Sequence, residues 1–539
     1  MRRLTLTVFI VSALTFVMLP VFISAQNQSA ADKAPKQSNP EISAAVRHDT
    51  SKPLREIMPL APKKAREYEN PMNFVKKNVP PDQADGAVQA SAFASVPVTN
   101  GLNFEGIGEG LVGYNVNVAP PDTTGDVGLT QYVQWVNLSF AVFDKATGVK
   151  TYGPAAGNTL WSGFGGPCQT SNDGDPLVQY DQLADRWVMS QFAVDSTPYR
   201  QCVAVSTTSD ATGTYNRYEF TYGNDFPDYG KLGVWPDGYY ITYNMFLGGS
   251  SFGGTKICAF DRARMLAGLS ATQQCFQLST AFGSVLPADL DGPTAPPAGS
   301  PNYLVNDGNN ALNFWKFHVD WTTPASTTLT GPISIPVAAF SHPCPTTNRG
   351  ACVPQPGTSQ KLETLADRMM YRFAYRNFGT HESLVVNQAV KIGTNKKNII
   401  TGIRWYELRD PGNNPPTVFQ QSTYSPDTGN WRWMGSAAMD KQGNLAVGYS
   451  ISNSSSLRPT IRFAARNVTD PLSTLSSEIN LFTGTGSQTQ TLARWGDYST
   501  LSVDPSDDCT MWYTNEYLAV NGTFNWHTRI ASFKLAACQ

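Results

Sequence analysis

Residues 496–514 read GDYSTLSVDPSDDCTMWYT. Two runs in which apolar and polar residues alternate flank a turn of Asp, Pro and Ser, the signature of a β-hairpin. The pattern recurs at 435–450 (GSAAMDKQGNLAVGYS) and 231–244 (KLGVWPDGYYITYN), and it opens again at Gly125–Asp126. Hairpins repeated at a long interval predict stacked units, and for all-β units the arrangement that buries each sheet against the next is a β-propeller. The spacing predicts an all-β, seven-bladed β-propeller, with six or eight blades as the alternatives. Its inner hairpins begin near Asp126, Asp175, Lys231, Ala288, Met370, Gly435 and Gly496. A third strand is expected after each, at 139–145, 201–207, 255–262, 311–319, 402–409, 459–466 and 529–535.

Composition agrees with that architecture. Only 15% of residues are charged, while 44 Gly and 37 Pro supply turns and 12 Trp and 22 Tyr supply broad rings to fill the space between sheets. A formal net charge of -2 gives no bulk field for nucleic acid or an anionic membrane.

The first 25 residues have the form of a secretory signal: Arg2 and Arg3, an apolar run over 4–23, then Ile23-Ser24-Ala25 as a cleavage site. No later stretch is long and apolar enough to span a bilayer, so none is expected after cleavage. Residues 26–95 are rich in Ala, Pro, Lys and Gln and read as a flexible linker or pro-segment, with the propeller over 100–539. Eight cysteines in a secreted chain predict four disulfides. Each falls within one unit or loop: Cys168–Cys202, Cys258–Cys275, Cys344–Cys352 and Cys509–Cys538, the last a staple for the final blade. No CxxC pair is present, which argues against zinc.

In a propeller the first strands line the central channel, so residues at the starts of hairpins converge from distant parts of the chain. Gly-Asp begins three units, at Gly125–Asp126, Gly174–Asp175 and Gly496–Asp497. At equivalent positions, Asp126, Asp175 and Asp497 would ring the channel mouth and suit Ca²⁺, with Asp122 beside them. The same carboxylates could instead accept backbone N–H bonds and lock blade to blade. Asp289 and Asp291, followed by Gly292, form a second acidic candidate. Arginines meet aromatics at 367–376 (DRMMYRFAYR) and 494–498 (RWGDY). Arg368, Arg372, Arg494, Trp495 and Tyr498 are therefore candidate ligand residues, guanidinium for an anion and ring for a sugar face. The structural alternative pairs Arg372 and Arg376 with Asp between blades.

The stretch Ser425–Trp431 (SPDTGNW) resembles a degenerate Asp-box, the S-x-D-x-G-x-T-W turn of sialidase-type propellers, one residue short and without the Thr. Residues 120–144, 175–191, 226–240, 367–387 and 494–517 resemble uncharacterised secreted bacterial propeller proteins. The resemblance implies fold and secretion; it fixes no catalytic position. The expectation is a secreted, periplasmic or cell-surface protein that binds an extracellular glycan or protein. A sialidase-like glycoside hydrolase and an assembly subunit are the alternatives. Oligomeric state is not readable from the sequence.

Overall fold

The alternation seen in the hairpins becomes a series of antiparallel meanders in the computed structural model, which describes Met1 and residues 39–61, 67–68, 82–393 and 399–539. Residues 2–25, which carry the expected leader, fall outside that range. The inner strands are Thr123–Val127, Leu177–Asp181, Phe226–Trp235, Leu286–Leu290, Met370–Asn377, Trp431–Met439 and Thr500–Val503. Each begins a sheet of at least four strands, and the fourth and fifth sheets join through parallel pairing of Ala288–Leu290 with Phe373–Tyr375. Third strands follow at Ser139–Asp144, Arg200–Ser206, Ser251–Phe260, Ala311–His318, Ile400–Arg409, Thr460–Arg466 and Trp526–Leu535. Every inner strand touches the next in chain order, and Thr500–Val503 touches Thr123–Val127, which closes the ring. This is the propeller arrangement. Sheets covered on both faces need near-continuous burial, and Thr123–Val127 and Leu177–Asp181 are buried at every residue.

All four disulfides form as the spacing predicts. Such bonds belong to an oxidising, non-cytoplasmic compartment. Among the described residues no helix is long and apolar enough to cross a membrane.

The flexible-linker reading of 26–95 is corrected where the chain is described. Glu41–Ala44 adds an edge strand to the third sheet, and Arg47–Thr50 adds one to the second. Leu54 is fully buried within the core of the first and second sheets, and Leu60 O accepts from Ala156 N in the first. Further on, Val88–Gln89 pairs with the fifth sheet, Phe93 bridges to Ser476 beside the sixth, and Val98–Glu105 supplies the outermost strand of the seventh. The described parts of the segment lie as a belt along the sheets' edges. It stays put because edge strands offer unpaired backbone groups, and pairing with them needs no apolar pattern. Closure of the last sheet therefore rests on Val98–Glu105 as well as on the Cys509–Cys538 staple.

The Asp-box-like stretch is also relocated. It lies not in a hairpin turn but in the connection between Thr417–Tyr424 and Trp431–Met439. There Asp427 accepts from Gly429 N and Asn430 N and pairs with Arg432.

Candidate functional site

The channel divides into three levels, and the predicted site residues are spread over them. At the end where the inner strands begin, the loop 343–366, pinned by Cys344–Cys352, lies against the sixth and seventh sheets. Ser452 Oγ donates to Pro354 O (2.9 Å), Ser487 Oγ to Pro356 O (2.8 Å), and Glu363 N to Ala493 O (2.9 Å). The loop brings Arg349 against Glu363 Oε2 (2.7 Å) and Asp497 Oδ1 (2.5 Å). Arg494 holds the same two carboxylates, with Nε to Glu363 Oε1 (2.8 Å) and Nη2 to the shared Asp497 Oδ1 (2.9 Å). Burial alone would raise the Asp497 carboxyl, but Arg349, Arg494 and Arg368 hold it well below the usual carboxylate range. Burial pushes Glu516, whose Oε1 accepts from Gly496 N, well above its ordinary value.

The predicted ligand residues are thus inside the scaffold. Arg494 is 7% exposed, and Arg368 bonds Asp367 and stands 4.7 Å over the Tyr229 ring. Trp495 is buried against Trp433 and donates to Ser450 Oγ (3.2 Å). Tyr498 donates to Pro176 O of the second sheet (3.2 Å). None of these five side chains, Arg372 included, presents a surface to a ligand, because inter-sheet contacts consume them.

The three aspartates expected to ring the channel mouth stand at different depths. Asp126 sits within its strand opposite Val133, close to the hairpin turn, whereas Asp175 and Asp497 precede theirs. At roughly 3.3 Å per residue that places Asp126 more than 10 Å deeper along the channel. Asp126 accepts from Tyr180 N (2.7 Å) and Val127 N (2.7 Å), Asp175 from Tyr229 N (2.8 Å), and Asp122 from Asp497 N (2.7 Å). Each carboxylate except Asp497 takes a backbone N–H of a neighbouring sheet. Among the described residues no group of three or more His, Cys, Asp or Glu side chains is placed to hold a metal ion.

The middle of the channel is plugged. Arg372, 2% exposed, donates from Nε to Asp289 Oδ2 (2.5 Å), from Nη2 to Asp291 Oδ1 (2.5 Å) and from Nη1 to Leu501 O (2.9 Å), which links the fourth, fifth and seventh sheets. Tyr371 donates to Leu232 O (3.1 Å) and accepts from Gln179. Lys231 lies 3.4 Å from the Tyr229 ring centroid and 4.3 Å from that of Tyr498. Its burial lowers it to about 8, against the pull of Asp175, Asp497 and Asp122.

Burial lifts Asp126 to about 7 and Asp289 to about 6, in spite of Arg372. An acid raised in the folded state binds protons there that the unfolded chain has already released. The stability that these two groups contribute therefore falls as pH rises from about 4 to about 7, by ~1.4 kcal/mol for each pH unit by which a titration is displaced. Urea unfolding at pH 5 and pH 8 should show the protein more stable at pH 5, and Asp126→Asn should reduce that difference.

At the hairpin-turn end the channel opens into a cavity of about 200 Å³. Turns of the fourth to seventh sheets line it, with Asp291, Asn377, Phe378, Lys441 and Asp508 at its wall. Arg376 holds Asp508 with both terminal nitrogens (2.8 and 2.7 Å) and Met439 O with Nε (3.1 Å). Gly292 is required here: its φ is +81°, and a Cβ would lie 2.5 Å from Arg376 Nη1. Its N–H reaches across to Gln182 Oε1 of the second sheet (2.9 Å). Phe378 is half-buried, and His381 stacks on it at 4.9 Å. Asp291 Oδ2 is buried without a hydrogen-bond partner. The sequence reading touched this place through Asp291, Gly292 and Arg376, the last in the alternative that pairs it with an Asp of another blade. The Asn377-Phe-Gly379 turn was the remaining signal, but turns far apart in the chain carry no mark that they meet.

No family model matches the sequence, and no curated protein matches it. Solved structures that resemble the fold include the α-L-arabinofuranosidase Arb93A from Fusarium graminearum, with 8% identity over 78% of this chain and 96% of that one and a TM-score of 0.34. A thermostable family-43 glycoside hydrolase matches with 10% identity over 66% and 88%, TM-score 0.28. An endo-1,5-α-L-arabinanase from Thermotoga petrophila matches with 10% identity over 77% and 97%, TM-score 0.26. At such scores the likeness bears on neither ligand nor chemistry.

Proposed function

We propose that this chain is an extracellular carbohydrate-binding propeller whose site is the hairpin-turn mouth of the channel. The observation that supports this is the pairing state of the cavity's carboxylates. Both oxygens of Asp508 are taken by Arg376, and one oxygen of Asp291 by Arg372. A glycoside hydrolase of the usual kind needs a pair of carboxyl groups facing the bond, one to protonate it and one to attack or activate water. Here the two that share a cavity are already tied to the sheets. A half-buried ring among polar groups in a small concave site is suited to holding a sugar. The test is a screen of the secreted protein against oligosaccharides, read both for binding and for released reducing ends. Binding without hydrolysis is the expected result. Turnover abolished by Asp291→Asn or Asp508→Asn would establish a hydrolase instead.

A further inference from the structure

We infer that the mouth receives the terminal residue of a neutral glycan, with Asp291 Oδ2 accepting one of its hydroxyls; this rests on the carbohydrate-binding reading above. Three observations point the same way. The first is shape. Drug-sized ligands occupy roughly 300–1,000 Å³, whereas this cavity is about 200 Å³. It is closed on the channel side by Arg372 and its two aspartates, all at most 3% exposed. A blind recess of that size accepts one ring and stops a chain from threading through, so a chain end enters it and an internal stretch does not.

The second is charge. Arg376 and Asp508 cancel, and Arg372 stands against Asp289 and Asp291. The one carboxylate left in excess is balanced by the exposed Lys441 on the wall. The recess carries no net cation for an acidic sugar, and the arginines of the opposite end are sealed off. The third is the hydrogen-bond inventory. Asp291, 3% exposed, keeps Oδ2 without a partner beside the cavity. A buried acceptor left unmade costs about 1–3 kcal/mol, and a ligand hydroxyl removes that cost. Phe378, which stacks on His381 and lies under the Arg376 guanidinium, is the apolar group of the wall that a sugar's C–H edge would meet.

The experiment uses the full chain on an array of oligosaccharides fixed through their reducing ends. Termini are neutral (glucose, galactose, mannose, arabinose, xylose, N-acetylglucosamine) in one arm and acidic (N-acetylneuraminic acid, glucuronic acid) in the other. Binding is expected in the neutral arm alone. It should weaken at least tenfold in both Phe378→Ala and Lys441→Ala, of which the exposed Lys441→Ala leaves the melting temperature nearly unchanged, and in Asp291→Asn where that variant folds. Preference for acidic termini, or neutral binding that both rim variants retain, overturns this inference while carbohydrate binding stands. Silence on both arms overturns the two together.

Discussion

Arg372→Met lowers unfolding stability by about 3–5 kcal/mol, the range for removing one partner of a buried ion pair. The guanidinium spans three sheets, and its loss leaves Asp289 and Asp291 buried opposite nothing. Asp289 keeps its bond from Val234 N (2.9 Å), so the penalty falls mainly on Asp291 and on the repulsion between the two. The triple variant Arg372→Met, Asp289→Asn, Asp291→Asn should recover much of the loss, because neutral amides need no counter-charge. Urea titrations of the single and triple variants decide it: equal destabilisation in both would place the effect in lost side-chain volume rather than in charge.

The second large effect belongs to the belt. A chain starting at Ile107 lacks the outermost strand of the seventh sheet, the partner of Trp526–Leu535 along most of its length. It also lacks every contact that Glu41–Phe93 makes with five other sheets. That chain should yield no folded protein. Removing 39–61 alone should be survivable but costly. Burying Leu54 contributes about 2 kcal/mol, and Arg217, 2% exposed, would lose its paired bonds to Asp49 (2.8 and 2.7 Å). Circular dichroism and urea midpoints of the two truncations check this. A truncation at 107 that folds as well as the full chain would contradict closure by the N-terminal strand.

What could be read in advance follows from which interactions leave a pattern in sequence. The inner hairpins were legible because short runs rich in apolar and β-branched residues are punctuated by Asp, Pro, Gly and Asn turns, as in Gly496–Thr514. The disulfides were legible because the partners of each pair are close in sequence, as are Cys258 and Cys275, opposite each other on adjacent strands. The belt was not. Glu41–Ala44 and Arg47–Thr50 are mostly exposed and bind through backbone, so their side chains carry no period. The arginine clusters were found but misassigned. Arg368 and Arg494 beside aromatic residues have the composition of an anion site, yet Arg494 is consumed by Asp497 of its own stretch and by Glu363 of the distant loop, which also brings the Arg349 that shares both carboxylates. The Gly-Asp pairs differ in register, since Asp126 lies near the end of its strand whereas Asp175 and Asp497 precede the start of theirs.

The central claim is that the arginines at the capped end hold the sheets together while ligand binds at the other end. Arg494→Gln tests it most directly, with unfolding free energy and glycan affinity measured on the same preparation. The account predicts a loss of at least 2 kcal/mol in stability, in line with breaking a buried hydrogen-bonded charge, and an unchanged dissociation constant. A stability equal to that of the parent together with lost binding would contradict it, and would return the site to the arginine-rich end.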